Sequence, residues 1–348
     1  MTLNQDPFIR PSARIYVAGH GGLVGSALVR RLQQESHQAN LVTRPRADLD
    51  LRDQERVRAF FEAERPEIVV LAAAKVGGIW ANASKPAEFI QQNLAIQNNV
   101  IHEAWRSGVK RLLFLGSSCI YPRECPQPIK EEHLLTGPLE GTNRPYALAK
   151  IAGIEMCWAY NRQYGTRFYS VMPTNLYGPG DNFDLESSHV IPAMLRKFHE
   201  AKSGGKARRQ VVLWGSGTPR REFLHVDDIA DACVFLMNLP DGKLDQVFNA
   251  EERSGLSTPS RAPLLNVGCG EDITIRELAD LIKETVRYEG EIAWDRSKPD
   301  GTPRKLLDVT RLLATGWSPK ITLREGLADT YRWYVRTPWS CPPSAPRR

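Results

Sequence analysis

Tyr146 and Lys150 lie within the stretch Tyr146-Ala147-Leu148-Ala149-Lys150. On a helix this spacing is one turn, so both side chains project from the same face. An ammonium beside a phenol favours phenolate and is expected to lower the phenol pKa towards the working pH. Such a group can hand a proton to an alkoxide that forms on a carbonyl carbon as a hydride arrives. Y-x-x-x-K alone also occurs on ordinary amphipathic helices. Two companions give it meaning here: Gly116-Ser117-Ser118-Cys119 follows an apolar run upstream, and a glycine-rich turn lies near the start of the chain. The Ser117 hydroxyl could donate to the ketone oxygen while Lys150 holds a cofactor ribose, which is positioning plus stabilisation of an emerging alkoxide.

These groups need a scaffold, and the chain reads as one. Arg14 to Ala18 is a strand pattern, Gly19-His20-Gly21-Gly22-Leu23-Val24-Gly25 a glycine turn, and Ser26 to Gln34 a helix. Strand, turn and helix in that order form the first unit of a dinucleotide-binding fold. Gly19 permits the sharp turn, Gly22 lets backbone N–H groups close on a pyrophosphate, and Gly25 lets the helix pack on its strand. A second strand, Leu41 to Thr43, runs into Arg44, Pro45, Arg46 and Ala47. An acid here would grip ribose hydroxyls, whereas guanidinium groups suit a 2′-phosphate, so NADP is favoured over NAD. Asp48-Leu49-Asp50-Leu51 could lie along the adenine end. Helices are expected over Asp53–Arg65 and Glu88–Ser107, with strands over Glu67–Ala74, Arg111–Leu115 and Phe168–Met172.

This alternation predicts an α/β fold, a Rossmann-type doubly wound parallel sheet with a smaller α/β substrate-binding domain. The boundaries read as 13–178 plus 225–270 for the cofactor domain and 179–224 plus 271–336 for the substrate domain, with 1–12 and 337–348 as flexible termini. Asp181 to Arg221 breaks the alternation but holds a helical stretch, Ile191–Ala201. Asp227-Asp228 is expected to cap a helix, and Thr274 to open another. Residues 250–263 read as a loop-like insertion.

The chain has 348 residues, 42% of them hydrophobic, and a net charge of +6, so a proper core is expected and disorder is not. The mild positive charge suits an anionic small substrate, and no basic run with interleaved aromatics argues for nucleic acid. No apolar stretch approaches a membrane span, and the start lacks the pattern of a secretory signal. The six cysteines show no C-x-x-C and no metal-ligand spacing, which reads as thiols in a reducing cytoplasm and no metal.

With VVLAAAKVGGI, FLGSSCIYP, RPYALAKIAGIEMC, SVMPTNLYGPGDNF, SHVIPAMLRKFHEAK, WGSGTPRREFLHVDD and KPDGTPRKLLDVTRL, the chain resembles the extended short-chain dehydrogenase/reductases, from about Arg14 to about Tyr334. Within them it is similar to the epimerase-reductases that act on GDP-4-keto-6-deoxy-D-mannose. The resemblance implies NADPH as reductant, a homodimer built on the helices 88–107 and 146–164, and an acid/base pair beyond the reductase set. That pair falls on Cys119, as base, and His189, as acid. From the residues alone, Cys119 could equally be a small buried hydrophobe and His189 a helix cap. The resemblance also implies cofactor contacts at Gly19–Gly25, Arg46–Leu51, Leu115, Gly116, Ser117, Ser118, Lys150, Pro173, Thr174, Asn175, Leu176 and His189. Sugar-nucleotide contacts fall on Lys197, Trp214, Arg221, Asp300 and Lys305. Many bacterial relatives carry arginine where this chain has Gly21 and Lys197; the first difference leaves Arg44 and Arg46 to meet a 2′-phosphate. The alternative activity is that of a nucleotide-sugar epimerase or dehydratase keeping its NAD(P) tightly bound.

Overall fold

In the computed structural model, which describes residues 8–35, 37–204, 210–248, 264–298 and 300–337, the first half of the chain alternates strand and helix. Its elements are β1 (Ile15–Ala18), α1 (Leu23–Gln34), β2 (Leu41–Val42), α2 (Gln54–Glu64), β3 (Ile68–Leu71), α3 (Ile79–Ser84), α4 (Pro86–Arg106), β4 (Arg111–Leu115), α5 (Arg144–Tyr164) and β5 (Phe168–Pro173). There follow β6 (Asn175–Tyr177), α6 (Val190–Ser203), β7 (Gln210–Trp214), β8 (Arg220–His225), α7 (Val226–Asn238), α8 (Asp241–Val247) and β9 (Leu264–Val267). The last are β10 (Asp272–Thr274), α9 (Ile275–Val286), β11 (Glu291–Asp295), β12 (Arg304–Lys305), α10 (Thr310–Leu313) and α11 (Leu323–Arg336). The expected insertion at 250–263 lies outside the described residues.

Six parallel strands form the main sheet in the order β2-β1-β3-β4-β5-β9. Every residue of β1, β3, β4, β5 and β9 is buried. This is why these strands read as unbroken apolar runs: helices cover both faces of a parallel sheet. The chain leaves β1 towards β2 on one side and returns to β3 on the other. A crevice opens at that reversal, beyond the carboxyl ends of the strands. The segment 47–51 forms turns with Leu49 and Leu51 buried, not a further strand.

Local chemistry sets the helix ends. The Asp53 side chain accepts the N–H groups of Glu55 and Arg56 to start α2. Thr274 and Glu277 form a reciprocal capping box on α9, as do Thr322 and Glu325 on α11. The expected cap of α7 is corrected: the His225 ring, not an Asp227-Asp228 carboxylate, accepts the Asp227 N–H, and both acids sit in the first turn, where the helix dipole favours them. α5 begins with proline in its first turn and ends at Gly165 in the left-handed region (φ 67°).

The loose arm expected over residues 1–12 is also corrected over its described part. Ile9 and Ala13 are buried in the main core, and the Ile9 N–H donates to Asn238 at 3.0 Å. Arg111, fully buried at the start of β4, explains the attachment. Its guanidinium lies 3.3 Å from the Phe8 ring centroid and donates to the Met237 and Leu239 carbonyls, both at 2.7 Å, and to Asp241. These bonds engage the two terminal nitrogens, the Nε has no hydrogen-bond partner among the described residues, and the aromatic face covers the group.

A second cluster of buried residues gathers around α6, α9 and α11 with β7 and β8, including Phe183, Leu195, Phe198, Leu278, Ile282 and Leu327. Here β8 pairs with β6, β10 and β12, and β7 pairs with β11. Among the described residues no helix is long and apolar enough to cross a membrane, and the five described cysteines are free thiols.

One buried amide and one glycine place α5, and a second amide fixes the loop after β3. The Gln97 amide on α4 donates to the Ala149 carbonyl at 2.7 Å. Asn93 holds the Lys75 backbone through both its N–H (2.9 Å) and its carbonyl (3.0 Å). A Cβ at Gly153 would stand 2.5 Å from the Phe114 ring, so α5 lies directly against β4. Gly153→Val is expected to destabilise the protein by about 1–3 kcal/mol through overpacking. The result would be a lower urea midpoint at unchanged slope. An unchanged midpoint would show that α5 withdraws from the sheet freely.

Candidate active site

The glycine turn lies at the mouth of the crevice. Gly19 has φ +89°, and a Cβ there would stand 2.6 Å from the Ala73 backbone nitrogen. A Cβ on Gly25 would fall 2.0 Å from the Gly19 carbonyl oxygen. Both positions therefore demand glycine. Gly22 takes the N-cap position of α1 without a side-chain cap, so the first-turn N–H groups of Leu23 and Val24 have no intrahelical acceptor. Gly21 is exposed, with nothing within 4 Å of an added Cβ. The His20 Nδ1 is buried and has no hydrogen-bond partner among the described residues. A cradle without side chains at a helix N-terminus fits a pyrophosphate.

The two arginines beyond β2 differ. Arg44 pairs with Glu64, donates to the Thr43 carbonyl at 2.8 Å and lies 5.8 Å from the Phe60 ring centroid. Arg46 is 70% exposed, with its nearest carboxylate, Asp50, at 3.7 Å. Asp50 itself is held chiefly by Arg52, whose guanidinium hydrogen bonds keep its carboxyl well below the usual range. Ala47 and Asp48 are exposed. Arg46 is thus the freer cation for an incoming phosphate.

Ser117 lies two residues beyond β4, and its Oγ accepts the Cys119 N–H at 3.3 Å. The same hydroxyl is close enough to the Tyr146 phenol to favour its ionised form. Tyr146 and Lys150 are both buried on one face of α5. The Lys150 Nζ donates to the Leu115 carbonyl at 2.7 Å and lies 4.6 Å from the Phe114 ring centroid and 5.9 Å from that of Tyr146. The expected electrostatics are corrected here. Burial pushes the Tyr146 phenol up, the Cys119 charge adds to that, and the Ser117 hydrogen bond pulls only partly back. Burial also brings Lys150 down to about 7. Desolvation is the leading cause of both shifts, and the amine faces a backbone carbonyl instead of the phenol oxygen.

Cys119 is half-buried, with its Sγ 3.6 Å from the Asn143 Nδ2 and 3.8 Å from the Lys305 Nζ. His189 holds the N-cap position of α6 in extended backbone (φ −79°), yet its ring makes no capping bond. The ring is solvent-exposed although protein surrounds it closely, as a side chain lining a cleft would be. Burial lowers its pKa. Its loop touches the one after β3: the Gly78 N–H donates to the Ser187 carbonyl at 3.1 Å. Beyond β4, a Cβ on Gly116 would meet Met172 at 2.2 Å, and Ser118 is buried. Pro173 ends β5. The Thr174 hydroxyl and the Asn175 amide donate to the Glu222 carbonyl at 3.2 and 2.8 Å, and Leu176 packs against the main core.

The residues expected to meet the sugar nucleotide form a chain of contacts. The Lys197 Nζ reaches the Val212 carbonyl at 3.2 Å, two residues before the exposed Trp214, and burial lowers its pKa. Asp300 accepts from the Ser216 N–H at 2.9 Å and its hydroxyl at 2.7 Å. Arg221 lies against Gly301; burial lowers its pKa while the charge of Asp300 raises it. Lys305 stands opposite Arg221 in the β12–β8 register and reaches back to Cys119. Sequence reasoning missed Asn143, Asn93, Gln97 and Glu222. The last is fully buried, its carboxylate accepting the N–H groups of Gly270 (2.8 Å) and Leu307 (3.0 Å).

Residues 15–250 match the model of the NAD dependent epimerase/dehydratase family. The chain is 56% identical over 325 residues to GDP-L-fucose synthase 1 of Arabidopsis thaliana, covering 93% of this chain and 94% of that one. It is 54% identical to GDP-L-fucose synthase of Escherichia coli (strain K12), covering 92% and 96%. The solved GDP-mannoheptose C4 reductase from Campylobacter jejuni, with NADP bound, superposes with a TM-score of 0.82 at 38% identity, covering 94% and 99%. The glycine cradle, the Ser117–Tyr146–Lys150 set and these matches agree: the chain belongs to the NAD dependent epimerase/dehydratase family, in its extended short-chain dehydrogenase/reductase form.

Proposed function

We propose that this chain converts GDP-4-keto-6-deoxy-D-mannose to GDP-L-fucose, first inverting C3 and C5 and then reducing the C4 ketone with NADPH at the same site. The observation that carries this reading is the meeting of Cys119, Ser117 and Tyr146 at the end of β4. A proton-abstracting thiol and a carbonyl-reducing pair share one pocket. What the Arabidopsis and Escherichia coli relatives are named for supports it.

The 4-ketone acidifies the hydrogens on C3 and C5. Cys119 removes each in turn, the electrons pass to the carbonyl oxygen as an enolate, and Ser117 donates a hydrogen bond to that oxygen. His189 returns a proton to the opposite face, which inverts the carbon; before the second inversion Cys119 releases its proton to solvent and His189 takes one up. When bound, the nicotinamide supplies a hydride to C4. Tyr146 gives its proton to the alkoxide so formed. A phenol kept protonated by burial is loaded as an acid at any working pH and yields its proton only once a stronger base appears beside it. Lys150 anchors the cofactor ribose. Gly19–Gly25 would hold the pyrophosphate, Arg46 with Arg44 the 2′-phosphate, and Lys197, Trp214, Arg221 and Asp300 the guanosine diphosphate. The main core then acts as the cofactor domain and the α6–α9–α11 core as the sugar domain.

We further read the chain as a cytoplasmic homodimer. The long helices α4 and α5 pack side by side, with Leu148 and Tyr164 exposed on them. A monomeric mass by light scattering would remove the dimer. The function itself is tested by incubating the pure protein with GDP-4-keto-6-deoxy-D-mannose and NADPH or NADH. One equivalent of NADPH oxidised per GDP-L-fucose formed is expected, with NADH slower. Isomerised ketosugar without net oxidation would instead indicate an epimerase that keeps its cofactor.

A further inference from the structure

His189 takes the N-cap position of α6, but its ring makes no capping bond. The place of the ring is therefore set by the backbone that carries it, residues 184–188. This loop runs from Phe183, fully buried in the second core, to the start of α6. Leu185 and Glu186 are exposed, so apolar packing does not fix the loop.

Hydrogen bonds fix it instead, and one atom collects most of them. The Asp184 Oδ1 accepts the Glu186 N–H at 3.1 Å, the Ser187 N–H at 3.0 Å and the Ser187 hydroxyl at 2.8 Å. An aspartate oxygen that gathers donors two and three residues ahead locks a turn. These bonds, the Ser187 hydroxyl's first, hold the Asp184 carboxyl below the usual carboxylate range. The Asp184 carbonyl also accepts the Ser187 and Ser188 N–H groups at 3.3 and 2.8 Å. Asn182 closes the same turn: its Oδ1 accepts the Asp184 N–H at 3.0 Å, and its Nδ2 donates to the Ser187 Oγ at 2.8 Å. The Ser187 carbonyl then takes the Gly78 N–H at 3.1 Å from the loop after β3. A Cβ on Gly78 would stand 3.1 Å from the Ser188 carbonyl oxygen, so the two loops meet backbone to backbone. The residues just before His189 are thus tied both to their own turn and to the cofactor side of the molecule.

We infer that Asp184 is a positioning residue for the proton-returning step: through its Oδ1 and Ser187 it sets where the His189 ring stands. This deepens the reading above and rests on His189 as the acid. The chemistry gives the role its own signature. Once Cys119 has taken a proton, its thiol can exchange with deuterated water and return a deuteron to the face it left. Only His189 delivers one to the opposite face. A displaced ring therefore leaves exchange but loses inversion, whereas a collapsed pocket loses both.

The test supplies NADP in place of NADPH, so that no reduction follows, with GDP-4-keto-6-deoxy-D-mannose in deuterated water. Ketosugars are trapped with borohydride and separated. Inverted sugar is then counted against deuterium in sugar that kept its configuration. Asp184→Ala is expected to lower this ratio about tenfold or more, since a misplacement of about 1 Å costs up to about 10²-fold. Asp184→Asn keeps the Oδ1 that all three donors use and should restore the wild-type ratio. An unchanged ratio in Asp184→Ala would overturn the inference, and so would failure of Asp184→Asn to restore it. Should Asp184→Ala not fold, Ser187→Ala removes the hydroxyl shared by Asp184 and Asn182 and must lower the ratio; no change there is equally fatal. His189→Ala, measured alongside, separates the two failures. A normal ratio in it removes His189 as the acid and the inference with it. A lowered ratio there beside a normal one in Asp184→Ala leaves the acid in place and removes Asp184 alone.

Discussion

Tyr146→Phe is expected to lose NADPH oxidation by about 10²–10⁴-fold, the range a positioned general acid contributes, while solvent deuterium still enters the substrate at C3 and C5. The two readouts separate because reduction and epimerisation use different protons. Phenylalanine keeps the ring that packs edge-on against Phe89 at 6.2 Å, so the fold loses little beyond the hydroxyl. The alkoxide at C4 is then left beside Ser117, a far weaker acid. Wild-type NADPH oxidation in this variant would refute the role given to Tyr146. Loss of deuterium exchange together with reduction would point to a collapsed pocket.

The second large effect belongs to Cys119→Ala. Removing a general base costs about 10²–10⁴-fold, and here it should appear as loss of deuterium incorporation and of GDP-L-fucose, with NADPH affinity unchanged because the glycine cradle is untouched. Proton and deuteron counts at C3 and C5 by NMR provide the measurement. Alanine fits the half-buried site, so a stability change beyond about 1 kcal/mol is not expected. Fucose formed at the normal rate would move the base to another side chain, with His189 the next to examine.

Much of the fold could be read from residue order. Ile68–Leu71 and Arg111–Leu115 are apolar on both faces, which only a strand covered on two sides permits, and Gly19, Gly22 and Gly25 stand where a tight turn and close helix packing need them. The contact of Tyr146 with Ser117 followed the same logic, since strand ends and helix starts meet at one edge of a parallel sheet. Other features were hidden because they depend on distant partners. Asp227 and Asp228 look like a cap until His225, one residue before the helix, supplies its ring. Glu222 follows two arginines at the start of its strand, and nothing local shows that its carboxylate would accept backbone N–H groups from 48 and 85 residues away. The phenol's acidity was misjudged for a similar reason: spacing on a helix says that two side chains share a face, not how much water each has lost.

The nitrogen atoms beside the Cys119 sulfur come from positions 24 and 186 residues later in the chain. During synthesis the glycine turn, Ser117, Tyr146 and Lys150 all leave the ribosome well before Lys305 does. A partly made chain therefore carries the parts for moving a hydride long before the sulfur gains its cationic neighbour. The surroundings of the sulfur are complete only when the last quarter of the polypeptide docks.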